Sequence, residues 1–252
     1  MRHELENAAN LATWKAKPLL REVYSDLYAR VERWIDPAIS GSIVEIGTGI
    51  GNFAPLAHCV IATDRSIEAW LDVTCSAYQL PFRSGSISHI VLIDVFHHLS
   101  APEAFLSEAA RVLVEGGRVI ILDPYIGVLS AVVYGILHSE PIGWHAPIHA
   151  EPTDDYYAAQ GNATRFFFRD RGLMPGWRIA HREAFAAFAY LLSGGFTRPA
   201  FYPRWMRSIL NAIDRRLSVA PLIFAARCVV VLLREGTLSA DTPVSDTKSV
   251  SA

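Results

Sequence analysis

A short apolar run leads directly into three glycines at alternate positions, in the segment Ile43-Val44-Glu45-Ile46-Gly47-Thr48-Gly49-Ile50-Gly51. Glycine allows a tight turn and lets a ligand approach the main chain without meeting a Cβ atom. A strand that runs into such a loop and then into a helix is the general nucleotide-binding device of open α/β sheets, where ligands bind outside the carboxyl ends of the strands. The segment therefore predicts a parallel α/β sheet with a nucleotide-like ligand at its first loop.

Apolar runs of strand length recur along the first half of the chain, each followed by turn residues. A helical pattern from Pro102 to Leu113 lies between the last two runs, with Ser100 as a candidate cap and Glu103 three residues later. Strands that alternate with helices favour a parallel sheet with crossovers. Only residues 65–69 separate the second run from the third, so the second crossover helix is expected to be a stub. The runs are Ser42–Ile46, Val60–Thr63, Trp70–Thr74, His89–Val95 and Arg118–Leu122.

The two ends of the chain extend this pattern. Residues 5–35 carry apolar positions at helical spacing, and two late apolar runs, Arg178–Ala189 and Phe224–Leu233, flank a helix predicted at Pro203–Leu217. The predicted fold is a doubly wound, mostly parallel, seven-stranded Rossmann-like sheet with an irregular insertion or lid before the last two strands. The predicted units are 1–40 (N-terminal helices), 41–125 (ligand-binding core), 126–176 (a helix and the insertion), 177–235 (the C-terminal strands and helix that complete the sheet) and 236–252 (a disordered tail).

Composition narrows the class of protein. The 252 residues are 51% hydrophobic and carry a formal net charge of -2, which indicates a folded globular chain without the excess of basic residues typical of polyanion binding. Cys59, Cys75 and Cys228 lie far apart in apolar stretches and are expected to be small buried residues in a reducing compartment. The N-terminal segment lacks the apolar core of a signal peptide, and no apolar stretch reaches the length of a membrane span. We expect a cytoplasmic protein.

The details of the glycine loop distinguish between ligands. In the dinucleotide fingerprint the third glycine falls at the position that Asn52 occupies here, one residue after Gly51. Glu45 before the loop suits a ligand that carries an ammonium group, and Asp64 at the end of the second strand can accept both ribose hydroxyls. These features favour a nucleoside that bears an amino acid.

Motifs in order along residues 40–125 resemble the class I S-adenosylmethionine-dependent methyltransferases, in the small-molecule branch with LPF and HHL signatures. The resemblance implies S-adenosylmethionine as the cofactor and methyl transfer as the activity. It also implies a cofactor-binding set: Glu45, Gly47, Thr48 and Gly49 at the methionine end, Asp64 at the ribose, Arg65, Ser76, Ala77 and Tyr78 along the adenine, and Asp94 after the fourth strand. The motifs are Glu45–Gly51, Thr63–Ser66, Ala77–Phe82, Asp94–Leu99 and Glu108–Gly117.

The chain departs from the family pattern at two positions. Ser76 stands where an acidic residue usually accepts from the adenine amino group, and Ser88 replaces an aspartate near the start of the fourth strand. Both substitutions predict weaker cofactor binding rather than its loss.

Methyl transfer from a sulfonium leaves little trace in sequence, because the enzyme mainly has to align the acceptor and exclude water. Candidates for a base or a substrate-orienting group lie after the fifth strand and in the insertion: Asp123, Tyr125, His138, Glu140 and His145. His97 and His98 are expected to be loop-packing residues. No metal site is predicted, because Pro147 interrupts the i, i+4 pair of His145 and His149 and no cysteine or HExxH context accompanies it.

Many aromatic side chains alternate with arginines between Phe185 and Arg216. This pattern is typical either of a helix packed on the sheet or of an apolar lid with a basic rim. The predicted acceptor is a small, hydrophobic or lipid-like molecule. The protein is expected to make peripheral contact with a membrane and to have no nucleic acid partner. The alternatives are an NAD(P)-dependent oxidoreductase and a non-catalytic cofactor-binding or membrane-associated protein. The sequence indicates no oligomeric state.

Overall fold

The computed structural model describes residues 2–53, 59–137, 140–153, 155–169 and 174–235. Seven strands form one sheet in the order β3-β2-β1-β4-β5-β7-β6. Five are parallel neighbours in the first part of the chain, and β7 runs antiparallel to both β5 and β6. This confirms the predicted seven-stranded, mostly parallel sheet. The strands are β1 Ser42–Ile46, β2 Val60–Asp64, β3 Val73–Thr74, β4 Ile87–Ile93, β5 Leu113–Pro124, β6 Trp177–Ala186 and β7 Ala225–Arg234.

Seven α-helices accompany the sheet in the described residues: α1 Arg2–Ala16, α2 Pro18–Glu32, α3 Pro102–Val112, α4 Val128–Leu137, α5 Phe188–Leu192, α6 Arg207–Leu217 and α7 Pro221–Phe224. Two short 3-10 turns, Phe96–His98 and Arg204–Met206, and a π-helical turn, Thr164–Phe168, complete the regular structure. None of the described helices has both the length and the apolar character needed to cross a bilayer. Cytoplasmic location and peripheral membrane contact stay predictions.

The central strands are buried on both faces because helices cover the sheet on each side. In β5, Ile120 and Leu122 pack with α2 on one face, whereas Val119 and Ile121 pack with α3 on the other. Successive side chains of a strand point to opposite faces, so a strand covered on both sides is an almost continuous apolar run. This explains why the central strands were recognisable from sequence.

Several local predictions differ from the structure. The N-terminal helical pattern is divided into two helices, since Pro18 begins α2 directly after Lys17. Ala101, rather than Ser100, occupies the N-cap of α3 and provides no side-chain cap. The third strand contains only Val73 and Thr74, and residues 65–72 form turns with no crossover helix.

Burial of the cysteines also differs from the prediction. Cys228 is buried and Cys75 is half-buried, but Cys59 is exposed. The predicted disordered tail from residue 236 lies outside the described residues, and so does most of the helix expected after the glycine loop. The proposed division of the chain into units stays a prediction.

Candidate active site at the carboxyl edge of the sheet

The glycine loop follows β1 at the carboxyl edge of the sheet. Gly47 and Gly49 both have positive φ, +68° and +55°, a conformation that L side chains rarely adopt. A Cβ on Gly47 would lie 2.5 Å from a methyl carbon of Val95, so glycine is required there by packing. A Cβ on Gly49 would have no protein atom within 4 Å. Gly49 therefore presents bare backbone to open space, which is the geometry of a loop that a ligand can approach closely.

Asp64 stands beside this loop, because β2 is the parallel neighbour of β1. One carboxylate oxygen accepts a hydrogen bond from the Gly49 amide at 3.0 Å, and the other accepts from the Arg65 amide at 2.6 Å and from Ser66. The contacts fix the carboxylate at the mouth of the loop, where a ribose hydroxyl could be bound. The Arg65 side chain itself is exposed.

Trp70 is a further part of the site that sequence reasoning missed, since it was assigned to the third strand. Its indole N–H donates to the Gly49 carbonyl at 2.9 Å, and its ring would be 2.9 Å from a Cβ on Gly51. With β3 reduced to two residues, the turn before it brings this large ring against the glycine loop. Trp70 thereby forms an apolar wall beside the glycine loop.

The predicted adenine segment forms a tight turn. The Ser76 hydroxyl accepts from the Tyr78 amide at 3.2 Å, and Ala77 is buried. The Tyr78 hydroxyl accepts from the Ala101 amide at 3.2 Å, which ties the turn to the start of α3. Ser88 lies at the opposite edge of the sheet, because it is the second residue of β4, and its hydroxyl donates to the Gly41 and Ser42 carbonyls at 3.1 Å. The expected effect of Ser88 on cofactor binding therefore has no structural basis, whereas that of Ser76 stays a prediction.

Glu45 is buried immediately below the glycine loop, with 3% of its surface exposed. The Thr48 hydroxyl donates to its carboxylate at 2.5 Å. Burial raises the pKa of Glu45 to about 7, against the lowering effect of the Thr48 hydrogen bond. A cationic ligand group at the loop would favour the ionised form of this carboxyl group.

We expect the affinity for S-adenosylmethionine to increase with pH through the Glu45 titration. Below the pKa of about 7 the carboxyl group must lose its proton to attract the cofactor ammonium, so binding releases a proton. The affinity should rise by up to about tenfold per pH unit toward pH 7 and then level off. Titration calorimetry between pH 5.5 and 8 in two buffers of different ionisation enthalpy measures both effects. A Glu45→Gln variant that keeps the same slope would show that another group titrates.

Asp94 follows β4 in the left-handed conformation, with φ +58°. Its carboxylate contacts the Arg227 guanidinium at 2.5 Å, and the Tyr24 hydroxyl donates to it at 3.4 Å. Arg227 is 1% exposed and comes from the start of β7, which lies at the carboxyl edge because β7 is antiparallel. Its Nε and Nη2 atoms have no hydrogen-bond partner among the described residues. The Asp94 carboxylate is therefore the ion-pair partner of the buried Arg227 guanidinium. The cofactor motif alone did not predict this role.

A second polar cluster occupies the ends of β4 and β5. His97 Nδ1 lies 2.9 Å from Asp123 Oδ1, and both residues are buried. His97 Nε2 lies 3.5 Å from Glu140, which also lies 3.8 Å from His98 Nε2. Burial alone would lower the pKa of His97, but the Asp123 and Glu140 carboxylates raise it to about 10. Burial, together with the neighbouring His97, lowers the pKa of His98 to about 4.

The catalytic candidates are thus only partly brought together. Asp123 and Glu140 converge on His97, whereas Tyr125 is 5% exposed and packs edge-on against Phe168, with ring centroids 5.0 Å apart. His145 is exposed on the insertion, and His138 lies outside the described residues. The expectation that the paired histidines only pack the loop does not account for their polar contacts. Their position one turn after β4, next to the end of the parallel neighbour β5, was the available signal.

The aromatic and basic C-terminal region does not form a single rim. Phe185 and Tyr202 are buried, whereas Phe201 and Trp205 are exposed. Arg204 and Arg207 form ion pairs with Glu22 and Asp26 of α2. Arg204 precedes α6 and Arg207 is its first residue. These two arginines, which were expected on a basic rim, therefore connect the start of α6 to α2.

The sheet order, the reversed β7 and the glycine loop at the first crossover define the Rossmann-like fold of class I methyltransferases. Residues 44–121 match the family model described as "Methyltransferase domain". The chain thus contains a methyltransferase domain of the class that uses S-adenosylmethionine, and the oxidoreductase alternative is set aside. The small-molecule branch stays a prediction.

Curated relatives are similar to part of the chain. "Probable tRNA methyltransferase 9B" from Homo sapiens is 31% identical in an alignment of 121 residues that covers 41% of this chain and 26% of that protein. The protein of the same name from Mus musculus is 30% identical over 121 residues, with the same coverage. The chain spans about a quarter of the length of these relatives.

Solved structures are similar over nearly the whole chain. A Haloferax volcanii methyltransferase, solved in complex with the Trm112 methyltransferase activator, has a TM-score of 0.54 at 17% identity and covers 92% of this chain and 96% of its own. An S-adenosylmethionine-dependent methyltransferase from Thermotoga maritima has a TM-score of 0.50 at 14% identity, over 90% of this chain and 96% of its own. At 17% and 14% sequence identity, these similarities show a shared fold alone.

The prediction that nucleic acid is not a partner is wrong. It depended on the net charge of -2 and the lack of an excess of basic residues, but the curated relatives are named as tRNA methyltransferases. Net charge describes the whole surface, whereas a nucleic acid needs only a local contact area and a reachable base.

Proposed function

We propose that the protein transfers the methyl group of S-adenosylmethionine to an acceptor bound at the carboxyl edge of the sheet. The observation that carries the proposal is the Gly49 backbone, which faces open space beside the fixed Asp64 carboxylate. Glu45, Gly47, Thr48 and Gly49 would hold the methionine end, and Asp64 the ribose. Arg65, Ser76, Ala77 and Tyr78 would border the adenine, with Trp70 as an additional wall.

The cofactor supplies an activated methyl group on a sulfonium, so the protein has to position the acceptor in line and keep water away. The polar residues at the ends of β4 and β5 are placed to orient it: Asp94, His98 and Glu140 are partly exposed there. Asp123 acts through His97, which it orients from below. Asp123 and Glu140 are therefore proposed as members of the acceptor site.

We propose a small apolar acceptor as the first substrate class. Aromatic side chains border the polar groups of the site, with Tyr24 and Tyr190 beside the Asp94–Arg227 pair and Tyr156 beside His98. Such rings contribute apolar contact area and a few oriented hydroxyl groups, which suit a compact organic molecule. A tRNA acceptor is the second candidate, supported by the names of the curated relatives.

Calorimetry with S-adenosylmethionine, its demethylated product and NAD tests the cofactor site. We expect the first two ligands to bind and NAD not to bind. Asp64→Ala should weaken cofactor binding by about 1–3 kcal/mol, because a hydrogen-bonded carboxylate is lost. Glu115→Ala, which removes an exposed carboxylate from the amino-terminal half of β5, should leave the affinity unchanged.

Radiolabelled methyl transfer tests the activity. Label from the cofactor is followed into total tRNA and, separately, into organic-extractable small molecules. Label in the organic fraction supports the first acceptor class, and label in tRNA supports the second. Cofactor binding without transfer to either fraction would contradict the proposed activity and favour the non-catalytic alternative.

A further inference from the structure

Two adjacent histidines and one glutamate converge at the carboxyl edge of the sheet. His97 and His98 lie on the 3-10 turn after β4, and Glu140 follows α4 in the insertion. The Nε2 atom of His97 lies 3.5 Å from one Glu140 oxygen, and the Nε2 atom of His98 lies 3.8 Å from the other. One ligand atom from each residue lies within 4.8 Å of the other two. Residues distant in sequence are thereby held in one compact donor set.

The opposite ring nitrogens of both histidines are anchored. His97 Nδ1 lies 2.9 Å from the Asp123 carboxylate, and His98 Nδ1 lies 3.1 Å from the Tyr157 carbonyl. A carbonyl oxygen can only accept, so His98 Nδ1 carries a hydrogen, and the Asp123 carboxylate favours the same tautomer for His97. Metal-bound histidines almost always donate their other ring N–H to a carboxylate or a backbone carbonyl. The two rings show one of each arrangement, and both Nε2 atoms face Glu140.

Glu140 is also oriented by its neighbours. The Tyr156 hydroxyl donates to one carboxylate oxygen at 2.6 Å, and the Gln160 amide donates to the other. These bonds hold both oxygens toward the two imidazoles. Asp123 Oδ2 and Gln160 Oε1 are buried and have no hydrogen-bond partner among the described residues. Each of these oxygens can therefore still accept a hydrogen bond beside the cluster.

The separations fit a bound cation. In a tetrahedral zinc site with ligands at 2.0–2.2 Å, donor atoms lie about 3.4 Å apart. The distances from the His97 and His98 Nε2 atoms to the Glu140 oxygens are 3.5 and 3.8 Å, close to this donor spacing. Both are longer than a charge-assisted hydrogen bond. Protons on both Nε2 atoms would place two cationic rings with centroids 4.0 Å apart, whereas a neutral His98 with its hydrogen on Nδ1 turns an unprotonated Nε2 toward a carboxylate oxygen. One divalent ion bound between the three residues would avoid both unfavourable arrangements.

We propose that His97, His98 and Glu140 bind a divalent transition-metal ion, with Zn²⁺ as the best match. Imidazole nitrogens select zinc over the hard Mg²⁺ ion, which prefers oxygen ligands. Three protein ligands leave a coordination position open, as in catalytic zinc sites. A heteroatom of the acceptor could take that position next to the cofactor loop. This role depends on the proposed function, whereas metal binding does not.

Zinc binding to the full chain tests the proposal in the absence of cofactor and acceptor. The protein is treated with EDTA, desalted and titrated with Zn²⁺ against a chromophoric chelator, and its metal content as purified is measured by mass spectrometry. We expect one Zn²⁺ per chain, retained in the presence of millimolar Mg²⁺, and a higher melting temperature on binding. His98→Ala and Glu140→Gln should each weaken the affinity by about 100-fold or more, since each removes a ligand.

His145→Ala provides the matched control, because it removes an exposed histidine from the same insertion. This variant should keep the wild-type zinc affinity. His98 is chosen over His97 because its side chain is 34% exposed, so its loss is easier to accommodate, and circular dichroism checks the fold of each variant. Substoichiometric binding, displacement by Mg²⁺, or equal losses in all three variants would overturn the proposal. Failure of methyl transfer with intact zinc binding would contradict only the proposed function.

Discussion

Replacing Gly49 with leucine is expected to abolish most cofactor binding while leaving the fold intact. A side chain at this position meets no protein atom within 4 Å, so it would extend into the space next to the loop where the cofactor is proposed to bind. We expect the affinity to fall by about 100-fold or more, which corresponds to a loss of about 2.8 kcal/mol or more of binding free energy. The unfolding free energy should fall by only about 1–2 kcal/mol, the cost of a left-handed non-glycine residue. Calorimetry and urea denaturation measure the two effects separately.

Gly85→Leu is the matched control for backbone strain. Gly85 has φ +63°, and a Cβ added there would, as at Gly49, meet no protein atom within 4 Å. Gly85 precedes β4, however, at the opposite edge of the sheet. This variant should lose a similar amount of stability and retain full cofactor affinity. If both variants bind the cofactor equally well, the ligand does not approach the glycine loop and the proposed site is wrong.

Replacing Asp94 with asparagine is expected to destabilise the protein by about 3–5 kcal/mol, because it leaves the Arg227 charge buried without a carboxylate. Asparagine has nearly the same shape and tolerates the left-handed conformation of this residue, so the change isolates the charge. Urea unfolding without cofactor gives the stability directly. A loss below about 1 kcal/mol would indicate that Arg227 is compensated by other groups.

The double variant Asp94→Asn with Arg227→Met provides the companion measurement. Removing both charges of a buried pair is often nearly neutral, because the desolvation penalty disappears with them. We expect the double variant to recover most of the stability lost by Asp94→Asn alone. A double variant as unstable as the single one would show that the Asp94 carboxylate stabilises the loop through another side-chain contact, such as the Tyr24 hydroxyl, rather than through Arg227.

The predictable part of the site consists of residues that depend on one strand and the loop after it. Glu45, Gly49 and Asp64 were identified because each lies at or near the carboxyl end of a strand, and neighbouring parallel strands end at one edge. The Trp70 contact was missed because it depends on β3 being only two residues long. Strand ends are weakly specified by local sequence, since pairing with β2 decides where the strand begins.

The sequence by itself determined the alternation of strands and helices, the buried character of the central strands and the glycine loop, because these depend on local periodicity and on backbone conformations that only certain residues adopt. Only the tertiary structure decided that Arg227 reaches Asp94 and that Glu140 joins His97 and His98. Those contacts join residues 133 and 42 or more positions apart through the reversed β7 and the fold of the insertion. No local pattern specifies such contacts, since they follow from strand order and from the path of a connection that lacks regular structure.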